Sequence, residues 1–99
     1  DWSLFKELVD IFTSDTPRML ESLRQAADAG DAETLSRTAH SLKGMLRNFK
    51  AESAADTALE LEKLGKANEM KNVKPLIEEL EAQIAGVDRS LKDLVSQKS

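Results

Sequence analysis

Apolar residues recur along this chain at intervals of three and four, the spacing that gathers them on one face of an α-helix. Trp2, Phe5, Val9 and Phe12 mark a short first helix that ends near Ser14 and Asp15. Thr16 followed by Pro17 predicts a second helix start, because proline in the first turn loses no needed hydrogen bond. That helix carries Met19, Leu20, Leu23, Ala26 and Ala27 inward and stops at Gly30. Asp31 is placed to cap a third helix with the stripe Leu35, Ala39, Leu42, Leu46 and Phe49. A fourth follows Lys50 and Ala51, with Ser53 and Asp56 at capping-box spacing, and brings Ala54, Ala58, Leu61 and Leu64 to the core before Gly65 ends it. Residues 66–72 are polar and read as a loop. The last helix starts between Val73 and Pro75 and runs towards Ser96 on a seam of Leu76, Ile77, Leu80, Ile84, Val87, Leu91 and Leu94.

Strand signals are almost absent: tyrosine is missing and β-branched residues are scattered. Long amphipathic helices joined by short connections predict an all-α fold, an antiparallel four-helix bundle with a short additional N-terminal helix packed at one end. With 99 residues and neither repeat nor low-complexity tract, residues 1–99 read as one domain with one core.

Composition narrows the chemistry. There is no cysteine, which removes disulfides, thiolate metal ligands and cysteine nucleophiles and fits a reducing, cytoplasmic setting. Fourteen Lys and Arg oppose eighteen Asp and Glu for a formal charge of -4. An acidic chain of mixed signs has little pull on polyphosphate, so nucleic acid and anionic membrane are poor partners. No apolar run approaches the roughly 20 residues that span a bilayer. One histidine leaves only carboxylates to complete a metal site, and none forms an inward-facing pair. A serine nucleophile is disfavoured because Ser41 lies about 100° around the helix from His40.

That single histidine sits on the third helix. At about 100° per residue, His40 lies roughly 140° from the centre of the apolar stripe, so its ring faces solvent or the groove beside a neighbouring helix. Ser36, Lys43, Gly44 and Arg47 fall within about 60° of it. One exposed ridge therefore holds an imidazole, two cations and a mid-helix glycine. Glycine there costs about 1 kcal/mol relative to alanine. Its use is clearance, letting another protein's active site approach the ring. Imidazole, with an ordinary pKa of about 6.5, is largely neutral and nucleophilic at cytosolic pH. A neutral ring attacks phosphorus, and a mobile Lys43 ammonium within reach stabilises the equatorial oxygens.

The run Ala39-His40-Ser41-Leu42-Lys43-Gly44, with Asn48 and Ala51 downstream, closely resembles the motif of histidine-containing phosphotransfer (HPt) domains. Leu8 to Phe12, Asp15-Thr16-Pro17 and Gly30-Asp31 before the histidine, and Ala58 to Glu62 after it, sit at family-like spacing. The resemblance implies that His40 takes a phosphoryl group on Nε2 from a receiver-domain aspartate and passes it to another receiver, with no kinase activity of its own. Lys43 would contact the phosphoryl group and Gly44 would give the receiver room. No cofactor belongs to the domain, since the receiver brings Mg²⁺. Glu62 matches a position where some members place a polar residue near the histidine, and would hold the Nδ1 hydrogen. The partners implied are response-regulator receivers, bound transiently by a monomer. The start at Asp1 suggests a piece of a larger protein, such as a hybrid sensor kinase with its cytosolic part attached to a membrane-bound sensor.

This chain departs from the family pattern after Gly44. Met45, Leu46 and Arg47 stand where small residues are usual, and Lys50 stands where a glycine is usual. Leu46 is on the stripe and reads as core. Arg47 is a second candidate phosphoryl contact or a specificity residue for an acidic rim. Lys50 predicts a different junction between the third and fourth helices. The alternative to phosphoryl chemistry is a non-catalytic docking module of the same fold, which would have lost the histidine or the lysine. Self-association through the last helix is a further alternative, but a bundle uses that seam for its own core.

Overall fold

The computed structural model describes residues 1–98. Its helices are α1 (Trp2–Ala29), α2 (Ala32–Asn48), α3 (Glu52–Lys66) and α4 (Val73–Lys98), with no strand among the described residues. The chain is an all-α bundle. No described helix is long and apolar enough to cross a membrane.

The expected break at Thr16 and Pro17 is absent, and the short N-terminal helix is instead the first part of α1. Pro17 sits inside that helix, where a proline costs about 3 kcal/mol. The buried stripe runs unbroken across it through Val9, Phe12, Thr16, Leu20, Leu23 and Ala26. Breaking the helix would turn one end of the stripe from the core, and burying the large apolar side chains Val9, Phe12, Leu20 and Leu23, at about 1.5–3 kcal/mol each, outweighs the proline. The Thr16 hydroxyl donates to the Phe12 carbonyl at 2.8 Å, so its own polar group is satisfied inside the core.

Each helix packs on its neighbours in sequence and α4 closes the ring on α1, while α1 and α3, and α2 and α4, stand diagonally apart. The α2–α3 contact is the most extensive. With connections this short the helices run up and down, and the molecule measures 44 × 18 × 18 Å. Phe12, Leu23, Leu35, Leu42, Leu46, Leu61 and Leu80 fill the axis. Phe49 closes the end of α2, edge-on to Phe12 at 5.2 Å and to Phe5 at 6.4 Å, and Trp2 stacks on Phe5.

Three helices end by one device. Asp31 N donates to Ala26 O, Ala51 N to Leu46 O and Glu69 N to Leu64 O, each at 2.9 Å. This is the six-to-one bond of a Schellman turn, which needs a left-handed residue just before the donor. Those residues are Gly30 (φ 69), Lys50 (φ 57) and Asn68 (φ 57). The α2–α3 junction is therefore a turn of the same kind as the other two, and Lys50 adopts the conformation a glycine would supply.

At the helix starts, Asp31 accepts from Thr34 N at 3.1 Å and from the Thr34 hydroxyl at 2.7 Å, and these bonds hold its carboxyl below the usual range. The capping box expected at Ser53 and Asp56 does not form. The helix begins earlier, at Glu52, with no side-chain cap. It also continues past Gly65 to Lys66.

Candidate functional site

Rotation of α2 fixes the site. Leu35, Ala39, Leu42 and Leu46 are fully buried on one side, so turning the helix to hide His40 would expose two or three leucines at about 2 kcal/mol each. His40 accordingly stands out, its side chain 66% exposed.

The neighbouring helix comes unusually close one turn earlier. A Cβ on Gly65 would lie 2.8 Å from Ser36 Cβ and 2.9 Å from the Ala32 carbonyl oxygen, distances that real contacts do not reach. Gly65 lets the α3 backbone settle onto α2, and it turns Ser36 into that contact and away from the exposed ridge. Glu62, one turn back along α3, is thereby carried under the imidazole.

Glu62 is the centre of the cluster. Its side chain is 5% exposed, and three groups converge on it. His40 Nδ1 lies 3.0 Å from Oε2, Lys43 Nζ 2.7 Å from Oε1 and Lys66 Nζ 3.1 Å from Oε2. Burial pushes the carboxyl pKa up, but hydrogen bonds from Lys43, Lys66 and His40 outweigh it and bring the group from 4.5 down to about 2. The carboxylate is therefore ionised at neutral pH and can only accept. His40 Nδ1 must carry the hydrogen, which leaves the Nε2 lone pair of the neutral ring free on the solvent side. The structure thus joins Glu62 to His40.

Lys43 is not the mobile cation expected from the sequence. Its side chain is 14% exposed and its ammonium is bound to Glu62. Arg47 is exposed and forms no ion pair among the described residues. Gly44 is exposed too, and a Cβ there would meet nothing within 4 Å. Packing within the chain gives no reason for a glycine at this point.

Sequence reasoning misses Lys66 and Gly65. Lys66 falls in the polar segment that reads as loop, although its place four residues after Glu62 is the favourable order for a helical ion pair. Gly65 reads as a helix terminator, and only the approach of α2 reveals its use.

Beyond the ridge lies an apolar shelf. Leu8 and Ile11 of α1 are exposed and border, with Phe5, Met45, Asn48 and Phe49, a cavity of about 510 Å³. Asn48 is one helical turn beyond Gly44, so the shelf continues from the ridge that holds His40.

The chain belongs to the Hpt domain family, whose match spans residues 7–90. Among solved structures it is similar to the crystal structure of histidine-containing phosphotransfer protein B (HptB) from Pseudomonas aeruginosa PAO1. That match has 37% identity and a TM-score of 0.87, and covers 91% of this chain and 78% of that one. A comparison with curated protein sequences finds no match.

Proposed function

We propose that this HPt domain is a phosphorelay carrier in which His40 Nε2 takes a phosphoryl group from the aspartyl phosphate of one receiver domain and gives it to the aspartate of another. The observation that carries the reading is the Glu62–His40 pair, which leaves the nucleophilic nitrogen outward on an exposed ring.

In the forward step the Nε2 lone pair forms the N–P bond while the bond from phosphorus to the aspartate oxygen breaks, and the electron pair leaves with the carboxylate. The hydrogen stays on Nδ1. The ring becomes cationic as the phosphoryl group keeps about two negative charges, and Glu62 meets that ring charge through the existing hydrogen bond. Developing charge in a partly desolvated site is what a fixed carboxylate stabilises best. Lys43 turns from Glu62 to the phosphoryl oxygens, and Arg47 lies one turn further along the ridge for an oxygen or an acidic rim on the receiver. Gly44 leaves space for the receiver's catalytic loops, which supply the Mg²⁺. The open side of Nε2 suits both directions of transfer, donor and acceptor receivers using the same approach. The domain acts as a monomer in transient contact with each receiver, in the cytoplasm, without kinase activity of its own.

The test is incubation with receivers charged by acetyl phosphate, following acid-labile, alkali-stable label. Wild type should become labelled and His40→Gln should not. A folded wild type that takes label from no receiver would leave only a docking module.

A further inference from the structure

Glu62 has one cation more than it needs. Counting a neutral imidazole, one buried carboxylate faces two ammonium groups, so the unloaded cluster carries a net charge of about one positive unit. Loading His40 adds a phosphoryl group of about two negative charges and makes the ring cationic. With both lysines the loaded cluster is neutral. With Lys43 alone it would be negative, and Lys43 would have to serve a buried carboxylate and a phosphoryl group at once.

The two lysines also differ in the way such a division requires. Lys43 occupies Oε1 from α2, the helix that carries His40, and its side chain is only 14% exposed. Lys66 occupies Oε2 from the same helix as Glu62, four residues on, and its side chain is 68% exposed. The Glu62 side chain is 5% exposed beneath His40, Lys43 and Lys66, and stripping a buried charge of its counter-ion is strongly unfavourable. We propose that Lys66 is a positioning residue that holds the Glu62 carboxylate and so frees Lys43 for the phosphoryl group on His40. This role rests on the carrier reading above and extends it to a residue that touches neither the ring nor the transferred group. Ordinarily an exposed i,i+4 ion pair contributes little. Here one member is buried and shared, so the exposed partner controls where the enclosed one is available.

Phosphoramidate loads histidine without a receiver, so the inference is tested on the whole chain apart from transfer. Loading of His40 is followed by ³¹P NMR, with folding checked by circular dichroism. Lys66→Met should slow loading about five-fold, and Lys66→Arg should restore most of the rate. In a Glu62→Gln background no buried charge remains to be held and Lys43 is already free, so adding Lys66→Met should change nothing. Such a dependence on Glu62 is the signature of coupling, which a general loss of positive charge or of helix stability would not produce. Equal loading by wild type and Lys66→Met would overturn the proposal, as would an equal slowing by Lys66→Met in the wild-type and Glu62→Gln backgrounds. If receivers label the wild type while Lys66→Met loads normally, the carrier reading stands and the role of Lys66 falls. If no receiver labels it while the loading pattern holds, the reverse applies.

Discussion

Glu62 is ionised at a depth where a lone carboxylate would be unstable, and its three partners make that possible. The arrangement has a pH signature. Its pKa lies at about 2 in the folded chain against 4.5 ordinarily, so the folded state favours the ionised form. The resulting stability is complete above pH 4.5 and is lost as pH falls towards 2. The difference amounts to roughly 3 kcal/mol. Urea unfolding of wild type and Glu62→Gln across that window should show the wild type losing about that much more stability on acidification. Other carboxylates, Asp31 among them, titrate in both proteins and cancel in the comparison. Parallel curves would mean that Glu62 is not held by its lysines. At this scale the sequence is informative about His40 and Gly44, because helical rotation alone places them outward. It cannot show that Lys43 is enclosed, since that depends on how closely α3 approaches, and the approach depends on Gly65 meeting Ser36.

Helix ends show a similar division. Gly30 and Asp31 announce their turn and cap plainly, and the stripe Leu35, Leu42, Leu46 gives α2 its orientation. Three features are hidden by competition between local and tertiary effects. Pro17 is locally a start signal, yet core burial on both sides of it keeps α1 whole. Ser53 and Asp56 have capping-box spacing, yet the Schellman turn at Lys50 and Ala51 starts α3 before the box can act. Lys50 reads from the sequence as a changed junction; the turn is of the same kind as those at Gly30 and Asn68, and the lysine bears the strain. A left-handed side chain costs about 1–2 kcal/mol, partly offset because glycine loses more backbone freedom on folding. Lys50→Gly should therefore stabilise the chain by about 0.5–1 kcal/mol, visible as a higher urea midpoint at unchanged slope. A lower midpoint would show that the Lys50 side chain contributes more to the junction than its φ of 57 costs.

At the scale of the whole molecule, α1 is about 42 Å long at 1.5 Å per residue and nearly equals the 44 Å long axis. The shorter α2 covers only part of it, so Leu8 and Ile11 remain exposed beside the end of α2. This matters because even a transient interface buries up to about 600 Å² on each partner. A ridge made of His40, Gly44 and Arg47 is too narrow for that, and polar groups alone would give it little affinity. The shelf of Leu8, Ile11 and Met45 adjoins the ridge through Asn48 and would supply apolar area beside it. Leu94, on α4, is also exposed but belongs to a helix that does not touch α2, which makes it a control of matched chemistry. The double change Leu8→Glu and Ile11→Glu should weaken receiver binding about tenfold or more, equivalent to about 1.4 kcal/mol. It should move folding stability by no more than about 0.5 kcal/mol per site, since both side chains already face solvent. Leu94→Glu should leave binding and transfer unchanged. Titration of each variant with a receiver, alongside the phosphoryl transfer rate, decides the matter. Equal losses from Leu94→Glu would point to a general effect of added negative charge. Undiminished binding by the α1 variant would confine docking to the immediate surroundings of His40 and require the receiver to gain its area on the α3 side, where Lys66 stands.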